Sequence, residues 1–192
     1  VEYGISIDSN IEKSSAAVRC GFNYKLYDLQ FILGKAKQDY VLGFGWAGNI
    51  KQAGFKGEMS FFNGIKDQQR AFVSSVSVDY TFNNGIYLNT AHLYNSQGAD
   101  STGNINFISN ELSAKNLSPI KQTFFMQVMY PVNPVFQIGN SIMSSHDFSL
   151  IFLNPSLAYS IKENMDLDAI VQYLFMDDIR QCALYIRFKY VL

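Results

Sequence analysis

Nine charged side chains stand at alternate positions in segments that otherwise read as strands: Arg19, Asp28, Lys56, Glu58, Asp79, Asp166, Asp168, Arg187 and Lys189. Their immediate neighbours are mostly apolar or glycine, as Leu167 and Ala169 are for Asp168, and Ile186 and Phe188 for Arg187. Successive side chains of a strand point to opposite faces, so strands sharing one sheet would gather these charges on one face. The acids Asp79, Asp166 and Asp168 and the bases Lys56, Arg187 and Lys189 could then do one of two things. Around a narrow water-filled space they would set a transverse field that tunes ion passage; packed together they would be the salt-bridged filling of a small barrel. Spacing alone leaves both open.

Other chemistry is weaker. Residues 43–48, GFGWAG, match the glycine pattern of dinucleotide sites, but that mechanism needs a helix N-terminus after the glycines to receive pyrophosphate. The next residues, NIKQAGFKGEMSFF, read as a turn and another strand, so Gly43 and Gly45 are read as positions giving room to neighbouring side chains. Ser145, His146, Asp147 and Ser149, with His92 and Ser96 elsewhere, supply hydrolase residue types. A nucleophile needs a base oriented by a third group, and neighbours within one loop do not meet that geometry. Asp177 and Asp178 read as a solvated outer loop that could bridge divalent cations. Cys20 and Cys182 match no metal spacing and no CxxC motif, and are read as free thiols. No cofactor, no metal site and no enzymatic activity is expected.

These side chains must be positioned by strands. Aromatic residues are 15% of the 192 residues and charged residues 16%, against a charged share of roughly 25% in ordinary soluble domains. No apolar run reaches the roughly 18 residues of a membrane-spanning helix. The formal net charge of -1 offers nucleic acid no basic face. Period-two alternation recurs throughout, predicting a single all-β domain over 1–192 with about twelve strands near 1–8, 15–24, 26–34, 39–47, 52–62, 71–82, 86–94, 120–130, 135–144, 148–161, 165–175 and 180–192. Tight turns alternate with roomier connections, Lys35 to Asp39 and Met176 to Gln181 being read as roomy and 95–118 as the longest outer loop, part of which could form a short helix. That alternation is the pattern of a transmembrane antiparallel up-and-down β-barrel with short turns at one rim. Pro155, inside a strand, predicts a bulge or break. The opening VEYGISID already alternates and has no signal-peptide character; the chain could also be the C-terminal part of a larger barrel.

Alternation does not say which face is wet. Aromatic placement does: Tyr27, Trp46, Tyr80, Tyr130, Tyr159 and Tyr190 fall near the tight-turn rim and Tyr40, Tyr94 and Tyr173 near the other, with aliphatic residues between. Two aromatic girdles around an aliphatic band are expected of a lipid-facing surface, and burying so many ions in a dry core would cost several kcal/mol each. The charged face is therefore read as the water-lined interior.

The closing strand, Leu184, Ile186, Phe188, Tyr190 and Leu192, resembles the C-terminal targeting strand of bacterial outer-membrane β-barrels, although it ends in Leu192 rather than an aromatic residue. Residues 154–175 look like a penultimate hairpin of porin-like barrels. The resemblance implies an outer-membrane location among outer-membrane lipids, recognition by the barrel assembly machinery, tight turns facing the periplasm, and a channel for small hydrophilic solutes. A non-conducting barrel anchoring or joining other envelope proteins is the second reading. A lipase-type barrel using His92 or His146 is the third.

Overall fold

The computed structural model describes residues 2–7, 14–65, 69–101, 115 and 118–191. Twelve strands follow one another: β1 (Glu2–Ser6), β2 (Ser15–Tyr24), β3 (Tyr27–Ala36), β4 (Asp39–Ile50), β5 (Ala53–Gly64), β6 (Ala71–Thr81), β7 (Tyr87–Asn95), β8 (Gln122–Asn133), β9 (Phe136–Ser145), β10 (Leu150–Lys162), β11 (Met165–Met176) and β12 (Ile179–Tyr190). They form one antiparallel sheet in which each strand pairs with its neighbours in the chain, the order running from β1 to β12 without a crossover. The fold is all-β and up-and-down, with β1 and β12 at the two ends of the order.

Most connections are tighter than the sequence suggests. Lys37–Gln38 and Asp177–Asp178, both read as parts of roomy loops, are two-residue turns. Lys37 and Asp177 adopt positive φ, 56° and 48°, which lets the chain reverse at once, so β3 runs on to Ala36 and β12 starts at Ile179. Alternation of tight and roomy connections therefore holds in part. The rim carrying 7–14, 65–70, 96–121 and 146–149 is the loop rim; the opposite one carries 25–26, 51–52, 82–86, 134–135 and 163–164. The helical expectation within 95–118 falls almost wholly outside the described residues.

Pro155 breaks the ladder on its β11 side without a bulge. It stays opposite Asn140 on β9, and the register between β10 and β11 is the same at Leu153–Tyr173 and at Ser156–Ile170. The ladder simply skips Asn154 and Pro155 on the β11 side, which is where the missing N–H would have pointed. Register shifts fall instead at Pro131/Asn133 and Ser160/Lys162, next to the tight turns.

The pairings sort every strand residue onto one of two faces. One face carries Phe31, Phe44, Val76, Val128, Leu157, Val171 and Ile186. Its large apolar side chains lie open, Leu33 and Ile186 at 66% and Phe188 at 56% exposure. The opposite face is concave: three hollows of about 640, 590 and 530 Å³ are each walled mainly by its residues, drawn from β2–β6, β8–β12 and β1–β5. The buried hydrophobic cluster, Phe62, Ala71 and Val73 with Val41 and Leu93 against it, also sits on that concave face, at the loop rim.

Candidate functional site

Arg19, Asp28, Lys56, Glu58, Asp79, Asp166, Asp168, Arg187 and Lys189 all fall on the concave face by register. Each base stands against an acid of a neighbouring strand. Arg19 Nη1 lies 2.7 Å from Glu2 and its Nε donates to Gln30 at 2.9 Å. Lys56 Nζ is 3.3 Å from Asp79. Arg187 Nε donates to Asp168 at 2.7 Å, and Lys189 lies 3.9 Å from Asp166, which also accepts from Ser160. Glu2–Arg19, Asp168–Arg187 and Asp166–Lys189 are directly opposed in the ladder. The pairs consequently lie flat along the wall, each neutralised by an adjacent strand. Asp28 accepts from Asn23, and neither it nor Glu58 has a basic partner among the described residues.

The hollow between β2 and β6 is built from small residues framed by long ones. Asp28, Ala47 and Lys56 lie in one row across β3–β5, and Gln30, Gly45 and Glu58 in the next. A Cβ on Gly45 would come within 2.5 Å of the Gln30 amide. The Gln30 side chain therefore occupies the space that glycine vacates, which accounts for one of the three glycines of GFGWAG.

The nine aromatic residues Tyr27, Trp46, Tyr80, Tyr130, Tyr159, Tyr190, Tyr40, Tyr94 and Tyr173 fall on the open apolar face. Tyr27 and Tyr80 donate their hydroxyls to Asn49 and Gln52, at the β4–β5 turn. Tyr80 meets Phe82 edge-on at 4.8 Å and Phe136 meets Tyr159 at 6.1 Å. The middle of this face is not purely aliphatic: Phe31 and Phe44 contact at 4.9 Å, and Phe44 continues onto Trp46 and Trp46 onto Phe55. Phenylalanine has no polar edge and suits a hydrocarbon surface at any height, unlike tyrosine.

Hydrolase residue types are dispersed. Ser145 is fully buried and accepts from the Leu150 amide at 3.0 Å, whereas His146 is exposed. His92 is on the open face, its ring 4.7 Å from that of Phe124. Asp147 accepts from Ser149 Oγ at 2.8 Å; hydrogen bonds from Ser145 and then Ser149 hold its carboxyl below the usual range. Both cysteines are free and exposed. No group of three or more metal-ligating side chains occurs among the described residues.

Sequence reasoning missed the loop-rim closure. Asn95 Nδ2 donates to the Ser118 carbonyl at 2.8 Å, Ser118 Oγ meets Thr123 Oγ1 at 3.2 Å, and Ile120 is 3% exposed. Lys115, in the same β7–β8 connection, reaches Asp39 at the start of β4 at 2.7 Å, three strands away. Lys115 thus lies at the loop rim beside the start of β4, and the cluster at Phe62 (2% exposed) lies at that end of the concave face. The signal was present: near the loop rim the supposedly polar register reads Val41, Phe62, Val73 and Leu93.

No protein-family model matches the chain, and no curated protein matches it. Among solved structures the chain is similar to the NanC porin, at 10% identity over 93% of each chain and a TM-score of 0.46. At such identity residues do not carry over from one chain to the other.

Proposed function

We propose that the chain closes into a transmembrane β-barrel of a bacterial outer membrane and conducts small hydrophilic solutes. One observation carries this reading: a whole face of a twelve-stranded sheet leaves large apolar side chains open, while the concave face holds the ion pairs. In water an apolar surface of that extent would aggregate; against lipid it is at rest, and the ionic face then lines a wet interior. Closure of β1 onto β12 would also satisfy the two remaining edges, as lipid requires. The aromatic rings near both rims would lie at headgroup level. The lumen charges would give weak selectivity, because most are neutralised by a neighbour, and of the five acids Asp28 and Glu58 lack a base among the described residues.

The Lys115–Asp39 pair, which ties one residue of the β7–β8 connection to the start of β4, favours a second reading, a plugged barrel serving as an anchor or subunit of an envelope complex. Reconstitution into planar bilayers separates the two. Stepwise conductance whose ion selectivity changes in Arg187→Ala supports the channel; silence from folded protein together with a stable co-purifying envelope partner supports the scaffold. Solubility without detergent, with no difference in gel mobility before and after boiling, would sink both.

A further inference from the structure

The concave face of β7 to β11 carries a row of uncharged polar side chains. Asn89 is opposite Gln127, Gln127 opposite Ser141, and Ser141 opposite Asn154. Gln172 follows on β11, between the pairs Phe152–Leu174 and Ser156–Ile170. Each is half-buried, and none hydrogen-bonds another side chain or a backbone group among the described residues. Asn89 Oδ1 is buried with no hydrogen-bond partner among the described residues. Buried polar atoms are nearly always bonded to protein or water, and this row is hydrogen-bonding capacity left uncommitted on the concave face, where Gln172 lines the hollow of β8–β12. The bases on the same face differ in this respect, being committed to neighbouring acids.

One row nearer the loop rim the same strands present Phe125, Met143, Phe152 and Leu174, consecutive partners in the ladder. A neutral amide row beside an apolar row matches an amphiphilic neutral solute. A sugar ring has that character, with hydroxyls at its edge to exchange hydrogen bonds with amides and C–H faces to rest on apolar side chains. Amides both donate and accept, as a hydroxyl does. Successive amides are one strand apart, about 4.8 Å, comparable to the repeat of one ring in a linear oligosaccharide. In tilted strands a row perpendicular to them also climbs the wall. An ionic solute would find no unpaired charge in this row.

We propose that Asn89, Gln127, Ser141, Asn154 and Gln172 form a binding strip for uncharged polyhydroxylated solutes, short linear oligosaccharides in particular. The proposal rests on the interior being wet, as in the channel reading, and names the solute class that such an interior takes. Titration calorimetry of the detergent-folded chain with maltotriose tests it directly, with ion conductance measured in parallel. Maltotriose is expected to bind saturably and to reduce the ion current. Gln127→Leu with Asn154→Leu is expected to weaken binding about tenfold, two hydrogen bonds being lost, without lowering ion conductance. Should that pair fail to fold, Ser141→Ala and Asn154→Ala are expected to weaken binding severalfold. Absence of binding by the folded chain, or binding unchanged in folded variants, overturns the strip. A chain that binds maltotriose yet carries no current keeps the strip and sinks the channel.

Discussion

At the scale of single residues, what a charge does here depends on the strand beside it. Arg187 is held by Asp168 across the β11–β12 ladder, and its side chain is largely open. Exposed pairs of this sort contribute about 0–1 kcal/mol. Arg187→Ala is therefore expected to change unfolding stability by less than about 1 kcal/mol while shifting the reversal potential in a salt gradient toward cations, because Asp168 is released. Asp147 behaves differently. Hydrogen bonds from the Ser145 and Ser149 hydroxyls favour its ionised form and depress its pKa. A depressed carboxylate stabilises the folded state above its ordinary unfolded pKa, and that contribution is lost as pH falls through the folded value. Carbon-detected NMR should find Asp147 titrating below the roughly 3.9 of a free aspartate, and Asp147→Asn should flatten the acid limb of stability. An ordinary titration midpoint for Asp147 would remove that expectation.

At the scale of elements, turns and the long connection matter most. Lys51 closes the β4–β5 turn at φ 56°, in the left-handed region that costs an L-residue about 1–2 kcal/mol. Lys51→Gly should accordingly raise stability by about 1 kcal/mol, read as a higher denaturant midpoint with an unchanged slope. Lys115, in the β7–β8 connection, is paired with Asp39 at the loop rim. Cutting that pair with Asp39→Asn leaves Lys115 half-buried without a partner. The expected outcome is faster proteolysis within 96–121 on folded, membrane-inserted protein, with larger single-channel steps. Unchanged cleavage would mean that the apolar cluster at Phe62, not the ion pair, holds the connection in place.

For the whole molecule, orientation of the two faces governs everything. Val76 and Ser75 are neighbours at mid-height of β6 and point to opposite faces. If the Val76 face meets hydrocarbon, Val76→Arg should destabilise the inserted barrel by about 2–4 kcal/mol. Ser75→Arg, beside Glu58 on the concave face, should be tolerated. Reversible unfolding from lipid vesicles measures both, and equal costs would refute the assignment of lipid to the open face.

The sequence by itself determined the strand content, the meander and the two registers, because period-two alternation is a local property that each segment carries alone. The charged residues could be assigned to one face for the same reason, and so could the aromatic ones. It could not say that each base has an acid next door, because that depends on which residue of one strand lies opposite which of the next, an offset that turn geometry and bulges decide. Lys37 and Asp177 illustrate it: their left-handed conformations turned two apparent loops into tight turns and lengthened the strands around them. Nor could it place Lys115 against Asp39, 76 positions apart, or align Asn89, Gln127, Ser141 and Asn154 across four strands. Contacts between residues distant in sequence exist only once the sheet is assembled, and the tertiary structure alone decided them.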